Sequence, residues 1–236
     1  MTEAEWLASE GPSTMFYWIS NRMLDGLRGT EQKRQLRLLE RKQRLFGVAC
    51  CRRIWPLLPD EEIRYCVEVS ERFADERATA EELREALVKV AEMWVKTRGL
   101  DPAVSACRQV CLGEVHGHDI RTNAINAILT KQPTAQYRVS DESIIVAEEA
   151  EHRQLLRDIF GNPFRHVVFS PEWRTGTAVA LARHMYESRD FSAMPILADA
   201  LQDTGCENED ILNHCRDEKA THVRGCWAVD CVLGNE

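Results

Sequence analysis

No apolar run in this 236-residue chain approaches the roughly 18 to 20 residues that a membrane-spanning helix needs. Cysteine is abundant at nine residues, yet there is no CxxC spacing, so zinc fingers, ribbons and thioredoxin-type redox motifs are excluded. The chain also lacks a P-loop, a GxGxxG, an HExxH, a GxSxG and an EF-hand loop. These absences remove the common routes to nucleotide binding, zinc proteolysis, serine hydrolysis and calcium binding. The opening stretch MTEAEWLASEG is acidic and has no basic segment followed by an apolar core, which is unlike a secretory signal. A cytoplasmic location is therefore expected, where cysteines stay reduced as free thiols or metal ligands.

The chain has 44% hydrophobic and 29% charged residues, ordinary for a globular domain or two small ones. The net charge of −8 is unevenly spread. Between Asn21 and Leu58 ten basic residues face three acidic ones, a local balance of +7. Such a segment can bind a polyanion or dock on the acidic remainder of its own chain.

Helix signals dominate. Thr2 with Glu5 and Thr79 with Glu82 are spaced as capping boxes. Ser13 or Thr14 can cap a helix through Leu24, and a long helix is expected from about Thr30 to Leu58, stopped by Pro56 and Pro59. Asp60 precedes Glu61 and Glu62 at the next start, where the helix dipole favours negative charge. Ile63, Val67, Ser70 and Phe73 form one inward stripe; Leu83, Leu87, Val90 and Trp94 form the next, closed by Gly99. Asp101-Pro102 reads as N-cap and first helical residue, leading to a face with Val104, Cys107 and Cys111. Residues 113–118 read as a loop, Asp119–Lys131 as a helix, and 132–139 as the best linker, with Ser140 capping a helix to Phe160. Val167–Phe169 suggests one short strand, Ser170-Pro171-Glu172 a helix start, and helices follow over Met194–Thr204, Asn208–Arg216 and Thr221–Leu233. The sum is an all-α protein of about ten helices, a bundle or an irregular α-solenoid, with at most one short strand pair. An N-terminal helical region, 1–132, and a C-terminal one, 140–236, are expected, unless the two form one continuous domain. The six tryptophans, evenly spread, are expected to pin the core.

Two patterns carry chemistry. Cys206, His214, Cys215, His222, Cys226 and Cys231 gather near the C-terminus. With His222 and Cys226 four apart on an expected helix, Cys206, Cys215, His222 and Cys226 make a donor set that suits tetrahedral zinc. The same cysteines also fit a core stripe with Val223 and Trp227, as small buried hydrophobes. Cys107, Cys111, His116 and His118 form a second group of the same chemistry. No cofactor is expected from the motifs, and zinc is the metal that these residues allow. The other pattern is Arg34, Arg37, Arg41 and Arg44, spaced three, four and three, which places four guanidinium groups on one helix face. That face can meet internal carboxylates, an acidic protein or a phosphate backbone. Aromatics that would stack on bases are missing between Thr30 and Leu45.

The segments MTEAEWLA, LFGVACCRRIWPLL, LLRDIFGNPFR, ILADALQDTGCENEDILNHCR and HVRGCWAVD resemble an uncharacterised paralogous family abundant in planctomycete bacteria. They cover both ends of the chain, and the stretch from about Arg98 to Ser140 has no part in the resemblance. Members are often labelled with, or fused to, the immunity-type Smi/Knr superfamily or short repeat-companion domains. MPILADALQDTG is similar to the helix of the latter, of the form LxxADWLEExG. The resemblance implies an interaction module without an established activity. The Smi/Knr fold is α/β, whereas this chain reads as all-α, so the immunity role is not carried over. The expected function is a non-catalytic interaction module or accessory subunit with a protein partner. The alternatives are a structural-zinc or thiol-dependent protein, and a nucleic-acid accessory using the basic helix.

Overall fold

Twelve α-helices and two short 3-10 turns, with no strand among the described residues, build the chain in a computed structural model that describes residues 1–9, 11–112, 117–131 and 141–235. The expected loop over 113–118 lies largely outside these residues, and the expected linker 132–139 and the Ser140 cap lie wholly outside them. No described helix is long and apolar enough to cross a membrane. The helices fall into two units, one of residues 9–153 and one of residues 1–8 with 154–236. The division falls inside a helix, and the N-terminal residues join the C-terminal ones.

The larger unit contains α2 (Pro12–Arg22), α3 (Gly29–Arg53), α4 (Glu61–Ala74), α5 (Ala80–Lys96), α6 (Pro102–Val110), α7 (Gly117–Lys131) and the first part of α8 (Asp141–Phe160). Its hub is the second half of α3, which packs against α4, α6 and α7. Every residue from Arg44 to Cys51 is buried, so this stretch is wrapped on all sides rather than along one stripe. α3 ends at Arg53, and Trp55–Leu57 make a 3-10 turn, because Pro56 has no N–H for the helical ladder. Ser13 and Thr14 lie inside α2, which starts at Pro12 behind Gly11 without a side-chain cap, but three other expected caps form as spelled. Asp60 accepts from the Ile63 N–H at 2.9 Å, Thr79 and Glu82 close a reciprocal capping box, and Asp101 accepts from Ala103 N–H ahead of Pro102.

The tryptophans differ from expectation. Trp6 is fully buried, whereas Trp94 is 37% exposed and lies under the Arg108 guanidinium, with Gly99 against its ring. Trp55 is half-buried beneath Arg52 at 4.7 Å. Indoles covered by arginine stay at the rim because the cation keeps its hydration while facing the ring.

Glu71, Glu148 and Glu151 inside this unit meet arginines, whereas His152 meets no polar partner. Glu71 is 1% exposed and receives Arg52 at 2.7 Å, and Arg53 bridges Glu148 and Glu151, both at 2.9 Å. His152 of α8 is fully buried against Phe46, and neither ring nitrogen has a hydrogen-bond partner. Burial, reinforced by the charges of Arg121 and Arg53, holds its imidazole down at about 3, far below the usual 6.5.

The smaller unit holds α1 (Glu3–Ala8), the end of α8, α9 (Gly176–Ser188), α10 (Met194–Asp203), α11 (Glu209–Arg216) and α12 (Trp227–Leu233). Its core is built from Ala178, Ala182, Met185, Leu197, Leu201, Ile211 and Val229, with cysteines between them. Val167–Phe169 forms no strand; Phe169 instead packs edge-on against Trp173. Pro171–Trp173 is only a 3-10 turn, and the helix starts at Gly176, where the Thr175 hydroxyl caps Ala178 N–H. Met194–Asp203 and Glu209–Arg216 form as expected, closed by Gly205 at φ 85° and capped by Asn208. The final helix begins at Trp227 rather than Thr221. Gly225, at φ 89°, leaves the right-handed region, and Val223 N–H donates to a side chain, so no helical ladder runs through 221–226.

The buried neutral imidazole of His152 sets an acid limit on stability. The unfolded chain binds a proton near pH 6.5 that the folded chain refuses down to about 3, so stability falls as pH drops through that window, by up to about 1.4 kcal/mol per unit. Replacing His152 by Leu removes two unsatisfied polar atoms and this proton. We expect His152→Leu to be more stable by about 1–2 kcal/mol at pH 7 and flatter between pH 6.5 and 4, by urea unfolding at several pH values. A destabilised variant with an unchanged acid limb would contradict the assignment.

Candidate functional site

The basic face of α3 divides along its length. Arg34 and Arg37 are exposed, Arg34 lying 3.6 Å from Glu31. Arg41 is turned inward and grips Asp75 at 3.0 Å. Arg44 is buried and donates to the carbonyl oxygens of Val110 at 2.5 Å and Leu112 at 2.9 Å, closing the C-terminal end of α6. The four guanidinium groups therefore share a face but not an environment, and only the first two stand at the surface.

All nine cysteines are buried and unpaired in disulfides. In the larger unit Cys111 donates to the Cys66 carbonyl and Cys66 to the Ala86 carbonyl. Burial pushes the Cys66 thiol up to about 11 and raises Cys50 and Cys111 well above the ordinary thiol range; a bond with Cys51, then burial, raise Cys107. His116, expected beside Cys107 and Cys111, lies outside the described residues, as does the side chain of His118. Cys206 and Cys215 belong to the core of the smaller unit. Burial, with Asp158 nearby, drives the Cys215 thiol up to about 12.

Of the four expected C-terminal ligands, His222 and Cys226 converge and Cys206 and Cys215 do not. Asp158 from α8 and His214 from α11 take their places. The Asp158 Oδ1, His214 Nε2, His222 Nδ1 and Cys226 Sγ atoms all lie within 4.8 Å of one another. His222 Nδ1 is 2.8 Å and His214 Nε2 3.3 Å from Asp158 Oδ1, while Cys226 Sγ is 3.2 Å from His214 Nε2 and 3.9 Å from His222 Nδ1. The other carboxylate oxygen, Oδ2, accepts the Val223 N–H at 2.9 Å, which fixes the orientation of Asp158. The two imidazole rings meet edge to face at 4.9 Å, and Trp227 packs on His214.

The four groups sit away from water: Cys226 is fully buried, the Asp158 and His222 side chains are 3% and 6% exposed, and that of His214 is 17% exposed. Burial pushes the Asp158 carboxyl up, but its bonds to His214 and His222 outweigh this and hold it below the usual range. Burial and the Asp158 charge raise the Cys226 thiol. A cavity of about 380 Å³, lined by His222, Cys215, Phe191, Met194 and Asp190, opens beside the cluster.

His222 and Cys226 meet through the Gly225 turn rather than through a helix face, so the four-residue spacing was a sound signal for the wrong geometry. Asp158 carried one sequence signal of its own: in LLRDIF it interrupts an apolar run of which Leu155, Leu156 and Ile159 are all buried. Fold and site together define an all-α protein with a buried Asp/His/His/Cys cluster. Comparison with protein-family models, curated proteins and solved structures gives no match to this chain.

These surroundings decide thiol reactivity. We expect all nine cysteines of the folded chain to resist a maleimide or disulfide reagent at pH 7.5, and all nine to react once the chain is unfolded in urea. A thiol labelled within seconds under native conditions would show a reactive thiolate and revive a thiol-dependent chemistry.

Proposed function

We propose that this chain is a non-catalytic interaction module that engages an acidic protein partner through the first half of α3. The carrying observation is a helix that leaves its own core. α3 has 25 residues, yet none from Gly29 to Leu38 is buried, while burial begins at Leu39 and becomes complete from Arg44. At 1.5 Å per residue, about 15 Å of helix stands out with only Gln35 and Leu38, on one face, half-buried.

Short isolated helices are marginal in water, so this half is held helical by its anchored continuation. It presents Lys33, Arg34 and Arg37 with Leu36, which is 41% exposed, between them. Basic groups around an apolar contact match a complementary acidic surface with an apolar centre. A nucleic acid is the weaker fit, because α3 offers no exposed aromatic here for base stacking and the whole chain carries −8. The resemblance of both chain ends to a family labelled with interaction modules supports the same reading. So do thiols that burial keeps protonated, which argue against a cysteine nucleophile in the reducing cytoplasm where this module is expected to work.

The test places a photo-crosslinking residue at Leu36 in the full-length chain in its native cells, with one at Lys219 as control. A discrete crosslinked protein is expected from Leu36 alone. The double substitution Arg34→Glu and Arg37→Glu should weaken that complex about tenfold or more at low salt, and less at high salt, without altering the circular dichroism. Crosslinks to nucleic acid, or a complex indifferent to charge reversal, would sink the reading.

A further inference from the structure

Four side chains from three separate stretches, α8, α11 and the turn before α12, aim one donor atom each at a common point. We propose that Asp158, His214, His222 and Cys226 form a closed tetrahedral site for one transition-metal ion of the zinc class. The site staples the smaller unit and is separate from the α3 surface.

The distances carry the argument. Zinc holds oxygen and nitrogen donors at about 2.0–2.2 Å and thiolate at about 2.3 Å, so in a tetrahedron neighbouring O and N donors stand about 3.4 Å apart, and N and S donors about 3.6 Å apart. Here the two O–N separations are 2.8 and 3.3 Å and the two N–S separations are 3.2 and 3.9 Å. Each lies within about 0.6 Å of the tetrahedral edge, so an ion enters with small side-chain adjustments.

Hydrogen bonding alone accounts less well for the arrangement. His214 Nε2 lies nearly equidistant from the carboxylate and the sulfur, and a single ring N–H cannot point at both. A cation at the centre takes a lone pair from each of the four facing atoms at once. Asp158 is held for that role through Oδ2 by the Val223 N–H, a partner behind the ligand of the kind that orients metal-binding carboxylates.

Donor type selects the ion. Two imidazoles, one carboxylate and one thiolate suit zinc, or cobalt in its place, and disfavour magnesium and calcium, which take oxygen donors. Charge balances as well. On binding, the Cys226 S–H bond breaks and its proton leaves to solvent. The sulfur keeps the electron pair and donates it to the ion. The resulting thiolate and the Asp158 carboxylate together cancel the 2+ charge, which leaves a neutral buried centre. Four protein ligands with almost no exposure leave no open position for a substrate, so the site is structural rather than catalytic. The cavity against His222 supplies the entry path.

The experiment uses the full-length chain, stripped with a chelator and titrated with Co2+ and then Zn2+ while the visible and near-ultraviolet absorption is followed. The expected result is one Co2+ per chain, with intense d–d bands that mark tetrahedral geometry and a sulfur-to-cobalt charge-transfer band, both erased by one equivalent of Zn2+. Cys226→Ser should abolish the charge-transfer band, and Asp158→Asn should weaken Co2+ binding at least about 100-fold. Cys206→Ser and Cys215→Ser should leave the spectrum unchanged. Elemental mass spectrometry of the protein purified without chelator should show about one zinc per chain. Because the unsubstituted chain is read first, a variant that fails to fold does not blunt the test. A folded wild type giving only weak octahedral cobalt bands overturns the proposal. So does a charge-transfer band that survives Cys226→Ser but vanishes with Cys206→Ser.

Discussion

The second half of α3 imposes the constraint on which the larger unit depends. A helix enclosed on all sides has no solvent for its polar side chains, and this one is rich in arginine. Each guanidinium on the enclosed part must find acceptors inside, and each selects a different element: Asp75 after α4 for Arg41, the end of α6 for Arg44, Glu71 of α4 for Arg52, and Glu148 with Glu151 of α8 for Arg53. Paired in this way, the charges tie α3 to each of these elements; unpaired, the buried Arg44 would cost several kcal/mol. Excess positive charge in the sequence is therefore mostly a packing device, and only its N-terminal part is left over for the surface.

The smaller unit solves a different problem. Its helices after α8 run from seven to thirteen residues, lengths at which isolated helices do not persist. Its core mixes small and aliphatic residues with cysteines, around Tyr186 and Phe169 as the buried aromatics. Arginines again do part of the joining: Arg174 donates twice to the Cys231 carbonyl, Arg224 to that of Tyr186, and Arg165 spans Glu3 and Asp210. The 217–226 connection has no helix of its own and is tied by Arg224 and by the side chain of Asp158, which takes both the ring of His222 and the backbone of Val223.

How much of this was legible in the sequence depends on the range of the interaction. Caps and stops are local, and Asp60, Thr79 with Glu82, Asp101-Pro102, Asn208 and Gly205 all act where their spelling puts them. The division of the arginine face was written as a gradient, polar in GTEQKRQ and apolar in LFGVACC, but helical spacing alone treats all four arginines alike. The start of α12 was misplaced because Thr221 to Leu233 has helical composition throughout. What unwinds its first turns is a positive φ at Gly225 and a backbone bond to Asp158, about sixty residues earlier. Asp158 itself was readable only as an acid in an apolar run; its partners depend on how α8 and α11 meet, which no local pattern encodes.

The company each thiol keeps separates packing from coordination. Cys66 and Cys111 face backbone carbonyls, to which only a protonated sulfur can donate, so their surroundings stabilise the thiol. Cys206 and Cys215 belong to the core of the smaller unit, where burial disfavours the thiolate and, at Cys215, the nearby Asp158 charge adds to that. Cys226 alone among the described cysteines stands within 4 Å of two imidazole nitrogens. Those nitrogens can accept from a thiol or, with it, ligate a cation. Burial beside a carboxylate disfavours the thiolate only as long as no cation is present, and a bound divalent ion reverses that preference. The raised thiol of Cys226 and its suitability as a ligand are therefore two sides of the same electrostatics, whereas the raised thiols elsewhere have no such second state.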